Sequence, residues 1–414
     1  MPALHPPGPR SADSKRATRG RTRATGPVIA ALDRAAFDAT PRTVVVAMSG
    51  GVDSSVAAAI LARRGHRVIG VTIKTYCYGE TAVGSRTCCG LDGIADARMV
   101  ADRLDIPHYV FDMEESFTES VIDDFVAEYV AGRTPNPCVR CNSNTKIPDL
   151  FERARRFGAD AVATGHYARN AAGPDGAPRI RRGTDRRKDQ SYFLWAVPSA
   201  AAAALRFPVG DLDKEEVRAI ARQLGLVTAD KPESQDICFV PDGDYGRFLA
   251  SRLGDDHPAL REGAMRTAAG ERVGTHRGYA RYTVGQRRGL GGGRGRPLHV
   301  LRVEPDTGDV VVGTREDLYR ETVTLGDPNW LGAPPEVGES VLAQLRHGAE
   351  AGRATVESIS GDGLTLRFDE PRWAVTPGQS GAVYRGDVLI GGGRIRQAPG
   401  PAGLSGRRLP AQAG

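Results

Sequence analysis

Seven residues, Ser49-Gly50-Gly51-Val52-Asp53-Ser54-Ser55, constrain this chain more than any other stretch. They follow an unbroken apolar run, Val44–Met48, and precede a segment with Val56, Ala59, Ile60 and Arg63 at helical spacing. The run predicts a buried strand, and the spacing predicts a helix from about Asp53 to Arg64. Two adjacent glycines permit a tight turn whose successive N–H groups face one concavity. The start of the following helix adds unpaired donors and a partial positive charge, and Ser49, Ser54 and Ser55 add hydroxyls. Such a cradle suits pyrophosphate. No lysine follows the last glycine, so it is not a Walker A loop, and the spacing is not the dinucleotide G-x-G-x-x-G. The plain alternative is an ordinary strand-to-helix turn capped by Ser and Asp. Two glycines and four hydrogen-bonding side chains exceed what capping requires.

The same rhythm continues downstream. Arg67–Lys74 reads as a strand, Asp92–Leu104 as a helix, Tyr109–Asp112 as a strand, and Phe117–Ala131 and Pro148–Phe157 as helices. Asp160–Gly165 is the next strand. This alternation predicts an α/β fold, a doubly wound parallel sheet, over residues 41–232. After about residue 230 glycines recur, and Tyr282–Gly295 reads as a mobile or ligand-facing loop. Short apolar runs at His299–Val303, Val310–Val312 and Leu364–Phe368 predict a small antiparallel β-barrel. The expected plan is a small central domain over 233–295 and a C-terminal barrel over 296–397. Residues 1–40 and 398–414 read as tails. The first is basic, and it either touches RNA phosphate or is an extension without a role. The second reading is favoured.

Composition narrows the class. Hydrophobic residues make up 40% of 414, enough for more than one core. No run nears the ~20 apolar residues of a membrane helix. The formal charge is +6, and lysine accounts for only six of the 56 basic residues. Arginine pairs bidentately with phosphate, which fits a phosphate-bearing partner. Genome composition bias produces the same excess, so charge decides nothing here. The six cysteines are too sparse for a disulfide scaffold, and no secretory signal precedes them, which places the chain in a reducing cytoplasm.

Cys138 and Cys141 form a C-x-x-C within Gly132–Asn142, where Pro135 and Pro137 restrict the backbone around Asn136. Three readings stand: a redox pair, half a metal site, or one nucleophile beside a bystander. No second C-x-x-C completes a four-cysteine zinc site. Cys238, in Glu233–Phe239, is the one cysteine distant from both this pair and the Cys77–Cys89 region, whose thiols read as structural.

SGGVDSS resembles the pyrophosphate loop of the ATP pyrophosphatases. Together with GRTPNPCVRCN (Gly132–Asn142), ATGHYAR (Ala163–Arg169), KDQSYFLW (Lys188–Trp195) and FPVGDL (Phe207–Leu212), it resembles the tRNA-specific 2-thiouridylase (MnmA) family. The likeness continues through ESQDICF (Glu233–Phe239), YTVGQRRGLG (Tyr282–Gly291) and TPGQSGAVY (Thr376–Tyr384), covering residues 42–396. It implies ATP-dependent exchange of the C2 oxygen of the wobble uridine of tRNA for sulfur, with ATP and Mg²⁺ as cofactors. A sulfur donor protein, a cysteine desulfurase or a relay sulfurtransferase, is implied as partner. The resemblance assigns Cys238 as persulfide carrier and Cys141 as the nucleophile that closes a transient disulfide with it. It assigns Ala47, Met48, Ser49, Gly50, Gly51, Val52, Asp53, Ser54, Ile73 and Gly165 to ATP. It places Asn136, Pro137 and Cys138 at the target base, and His166, Lys188, Asp189, Gln190, Arg346, His347 and Gln379 at tRNA. Some members carry Asp where Cys138 stands, so a three-thiol Fe–S site of Cys138, Cys141 and Cys238 stays open. Two rival functions remain: another pyrophosphatase-loop thiolase of RNA or nucleotides, and a catalytically silent RNA-binding protein.

Overall fold

Three consecutive valines, Val44, Val45 and Val46, have no solvent exposure, and they form the centre of the first sheet. In a computed structural model, residues 42–76, 91–173, 176–233, 237–240, 242–290 and 297–396 are described. The two tails, Cys77, Cys88 and Cys89 lie outside these residues, as do Ser234–Asp236 and Gly291–Arg296. Strand β1 (Thr43–Ala47) leads through the glycine loop into helix α1 (Val52–Arg63). Strand β2 (Arg67–Lys74), helix α2 (Leu91–Leu104) and strand β3 (His108–Asp112) follow. With β4 (Ala161–Ala163) and β7 (Leu205–Arg206) they form a sheet ordered β3-β2-β1-β4-β7, parallel throughout. The chain leaves β1 toward β2 and later returns to pair β4 on the other side. The strand order therefore reverses between β1 and β4, and open α/β sheets bind ligands outside the carboxyl ends at that point.

Phe117–Ala131, expected as one helix, is helical but contains a π turn at Thr118–Ile122. A second π turn, Cys141–Lys146, joins the short helix Pro137–Arg140 to Ile147–Arg156. The cysteine pair thus sits on helical turns that begin directly after Asn136. Asn136 caps it, its Oδ1 accepting from the Val139 N–H at 3.3 Å, and Pro137 occupies the first turn, where a missing N–H costs nothing.

The expected division at residue 295/296 is corrected. Strands β10 (His299–Glu304) and β11 (Asp309–Gly313) do not enter the barrel. They pair with β8 (Glu262–Thr267) and β9 (Arg272–Arg277) in a sheet ordered β10-β11-β8-β9. Short apolar runs look alike in either setting; only pairing partners separate them. The barrel starts at β12 (Tyr319–Trp330). It continues through β13 (Ser340–Gln344), β14 (Gly352–Ser360), β15 (Gly363–Trp373), β16 (Ser380–Arg385) and β17 (Val388–Ile395), and β12–β17 pairing closes it. The hairpin β5 (Ala168–Ala172) and β6 (Pro178–Arg182), inside the first domain by sequence, joins the barrel sheet at Arg181–Val388. That junction fixes the barrel to the first domain.

Candidate active site

The glycine loop is clamped before any ligand arrives. Gly50 has φ +72°, and a Cβ there would lie 2.1 Å from the Gly93 carbonyl oxygen at the start of α2. Gly165, just beyond β4, abuts the first turn of α1; a Cβ would sit 2.5 Å from the Ser54 nitrogen. Only glycine fits either place. Ser54 Oγ bonds the Gly51 carbonyl at 3.0 Å and accepts from the Ser49 N–H at 3.2 Å, which folds the loop on itself.

These elements line a cavity of about 250 Å³. Ala47, Met48, Ser49, Gly50, Gly51, Val52, Asp53, Ser54, Ile73 and Gly165, the residues expected at ATP, all border it. Ala47, Met48, Val71 and Ile73 make an apolar wall suited to a purine, and the loop makes a polar floor suited to phosphate. His166, Lys188 and Gln190, expected at tRNA, line this same cavity. Asp189 does not: it is buried, its oxygens accept from the Gly183 and Ser191 N–H groups, and it pairs with Arg182. Its acceptors point into the protein, where they hold the turn from Gly183 to Ser191.

Sequence reasoning missed Lys146, Tyr167, Lys214, Lys231 and Glu233. Lys214 Nζ lies 2.8 and 2.9 Å from the two Asp53 oxygens and 3.2 Å from Glu233. Lys188 Nζ holds the other Glu233 oxygen at 2.7 Å. Tyr167 donates its hydroxyl to Asp53 at 2.9 Å. Lys231 donates to the Gly50 carbonyl at 3.0 Å and pairs with Asp96. Burial opposes the Glu233 charge, but Lys188 and Lys214 hold its pKa below the ordinary carboxylate value. Burial, then the Asp53 charge, pushes the Tyr167 hydroxyl far up, so it stays a donor. Desolvation, with the Lys146 charge, lowers His166 to about 3, so it is neutral at pH 7.

A signal for these residues was available. The chain has only six lysines, and four of them, Lys146, Lys188, Lys214 and Lys231, line this one cavity. A composition that replaces Lys by Arg wherever either serves retains Lys where a compact ammonium is needed.

The three thiols are arranged differently. Cys138 is exposed, whereas Cys141 and Cys238 are half-buried against one apolar cluster containing Phe117, Phe125, Tyr129 and Phe239. Among the described residues no three His, Cys, Asp or Glu side chains converge as metal ligands. The three-thiol cluster therefore does not fit this arrangement. Arg140, between the two thiols in sequence, is turned to Asp124 at 2.7 Å, where Arg394 also binds. Burial opposes the Asp124 charge, but the two guanidiniums hold its pKa low.

Gln379 donates to the Thr134 and Pro135 carbonyls at 3.1 and 2.9 Å, so the barrel grips the segment entering Asn136-Pro137-Cys138. Asn136 Nδ2 lies 3.5 Å from the Tyr192 hydroxyl. His347 packs on Phe193 with ring centroids 4.5 Å apart, and Arg346 bonds the Ala374 carbonyl.

Residues 42–242 match the family described as the tRNA methyl transferase HUP domain, 247–314 its PRC-barrel domain, and 320–395 an aminomethyltransferase β-barrel domain. A tRNA-specific 2-thiouridylase MnmA of Rhodospirillum centenum is 48% identical over 389 residues, covering 91% of this chain and 98% of the relative. Another, from Rhizorhabdus wittichii, is 49% identical over 363 residues, 87% and 93% of the two chains. The chain belongs to the MnmA family. In this family member the central domain ends near residue 314, as the sheet pairing also requires.

Proposed function

We propose that this chain catalyses ATP-dependent 2-thiolation of the wobble uridine of tRNA in the cytoplasm. One observation carries the reading. Two residues of the cavity are each followed or preceded within five positions by a cysteine that lies against the aromatic cluster. Lys146 lines the cavity and Cys141 opens the same π turn; Glu233 lines the cavity and Cys238 follows five residues later. The helical segment spans on the order of 7 Å. A phosphate site and two thiols within such reach suit adenylation followed by sulfur transfer, and neither a silent RNA-binding protein nor methyl transfer needs them.

The C2 oxygen of uracil is a poor leaving group. It attacks the α-phosphorus of ATP, and pyrophosphate departs into the Ser49–Ser55 cradle, where backbone N–H groups and Lys214, Lys231 and Lys188 neutralise its charge. The Asp53 and Glu233 carboxylates are hard oxygen donors at the phosphate end, so they fit Mg²⁺, which takes one or two carboxylates with phosphate oxygens and would further neutralise the leaving group. The terminal sulfur of a Cys238 persulfide then attacks C2. The Cys141 thiolate attacks the inner sulfur, the S–S bond breaks toward the base, AMP leaves, and a Cys141–Cys238 disulfide remains for an external thiol to reduce. The persulfide sulfur is supplied by a donor protein such as a cysteine desulfurase or relay sulfurtransferase. Asn136, Pro137 and Cys138, which follow the Thr134–Pro135 carbonyls held by Gln379, meet the target base, and Arg346 and His347 approach the tRNA from the barrel.

The test is mass spectrometry of tRNA nucleosides from a strain lacking this chain. Loss of 2-thiouridine derivatives with 4-thiouridine and 2-thiocytidine retained supports the reading; unchanged 2-thiouridine rejects it.

A further inference from the structure

Trp373 ends strand β15 and is 37% exposed, whereas Trp195 is buried and Trp330 half-buried. It is held firmly for an exposed residue. Its ring meets His299 of the central sheet in a T-shaped contact with centroids 6.3 Å apart, and the Arg315 and Arg346 guanidiniums lie over the ring, 5.6 and 5.9 Å from its centroid. The next residue, Ala374, has φ +50°, a left-handed conformation that non-glycine residues rarely adopt. Its carbonyl accepts from Arg346 at 3.2 Å and from the Thr376 hydroxyl at 2.9 Å. A Cβ on Gly285 would lie 2.9 Å from Ala374 Cβ and 3.4 Å from Trp373 Cη2, so the GQRRG loop packs directly against the pair. Two domains and a strained peptide thus fix an apolar plate that folding alone would bury.

The plate is surrounded by positive charge and stands beside the target segment. Arg287 and Arg315 both act on His299, which burial, first, and then these charges hold below its usual pKa. Four residues after Trp373, Pro377 accepts the Thr134 N–H at 2.8 Å, and Gln379 grips Thr134 and Pro135. Those residues lead directly into Asn136-Pro137-Cys138. Arg346 links the two places, since its charge also reaches Tyr192, the neighbour of Asn136.

We propose that Trp373 is a stacking plate for an unpaired nucleobase of the anticodon loop next to the target uridine, with Arg315 and Arg346 on the flanking phosphates. The proposal rests on the tRNA reading above. Splayed bases stack on aromatic side chains without regard to sequence, and nearby guanidiniums strengthen the contact.

The experiment measures binding of an anticodon stem-loop RNA to the full chain, to Trp373→Phe and to Trp373→Ala, each shown folded by its melting curve. Trp373→Ala is expected to weaken binding about 5- to 150-fold, with Trp373→Phe recovering most of the loss. An abasic nucleotide beside the target should weaken wild-type binding by a similar factor and cost little more in Trp373→Ala, the signature of a shared contact. Tryptophan fluorescence should be quenched by the stem-loop in wild type and much less in Trp373→Phe. Wild-type affinity in Trp373→Ala, or equal abasic penalties in both proteins, overturns the stacking role. A change in oligomeric state on mutation with RNA affinity kept overturns it as well and marks a protein contact. Failure of the wild-type chain to bind the stem-loop at all rejects the tRNA reading itself.

Discussion

The phosphate cavity and the thiol neighbourhood share two chain segments, yet different forces hold them. In the cavity, lysines and carboxylates alternate: Asp53 to Lys214, Lys214 to Glu233, Glu233 to Lys188. Lys188, Lys214 and Lys231 each already have an internal anion, so arriving phosphate exchanges one partner for another there instead of meeting a bare charge. The thiols lie against aromatic packing, with Phe239 5.1 Å from Phe125 and 5.9 Å from Phe117. That apolar wall limits water, which would protect the proposed persulfide while it awaits its acceptor. An ionic site adapts to a ligand; an apolar one shelters an intermediate. The comparison also shows why Glu233 matters, because it belongs to the ionic network and to the segment bearing Cys238.

The largest effect expected is on the thiols. Cys141→Ser and Cys238→Ser should both abolish 2-thiouridine formation, but only Cys141→Ser should retain protein-bound sulfane sulfur after incubation with a desulfurase and cysteine. Equal sulfur content in the two variants would reverse or merge their roles. Cys138→Ser is the control, and a modest fall is expected; loss as complete as in Cys141→Ser, together with bound iron, would restore the cluster reading.

Next in size is the cradle. Asp53→Ala and Ser54→Ala should lower ATP–pyrophosphate exchange by at least roughly 100-fold, the cost of losing one preorganised electrostatic contact, with tRNA binding kept. Normal exchange in both variants would detach the loop from ATP.

A sharper probe of the ionic half is Lys214→Arg. A planar guanidinium does not replace a compact ammonium that meets two Asp53 oxygens and Glu233 together. Exchange activity should fall about tenfold despite the kept charge. Wild-type exchange would mean that the scarce lysines are interchangeable with arginine and carry no signal.

Binding of tRNA should weaken steeply with salt, because Arg287 and Arg288 in the GQRRG loop are exposed and suited to phosphate. Neutralising both should flatten the slope of log affinity against log salt by about two. An unchanged slope would move the phosphate contacts elsewhere.

The smallest effect concerns pH. His166, lowered from 6.5 to about 3 mainly by desolvation, binds a proton more readily in the unfolded chain. Its contribution to stability is complete above about pH 6.5 and is lost as pH falls toward 3. His166→Gln should therefore flatten the acid limb of the stability curve over that window, measured by urea denaturation. An unaltered limb would assign it to other groups.

The strand, the glycine loop and α1 were legible because each depends on neighbours within a few residues: β-branched burial, two glycines, and helical spacing. Ten of ten expected ATP residues border one cavity for the same reason, since eight are consecutive (Ala47–Ser54) and Ile73 and Gly165 end adjacent strands. His299–Val303 and Val310–Val312 were placed in the wrong sheet, because a short apolar run carries no record of its partner. That Asp189 turns inward was not legible either, because it depends on which face its turn presents.

By itself, then, the sequence determined the parallel sheet, the pyrophosphate turn and the presence of two separated thiols beside it. Only the tertiary structure decided that Lys146, Lys188, Lys214 and Lys231, spread over 86 residues, meet in one cavity, and that Glu233 ties the Cys238 segment to it. It alone fused the β5–β6 hairpin to the barrel and set Trp373 beside the segment that Gln379 holds. Local geometry is written in runs of neighbouring residues, whereas convergence of distant charges depends on chain crossings that sequence spacing does not record.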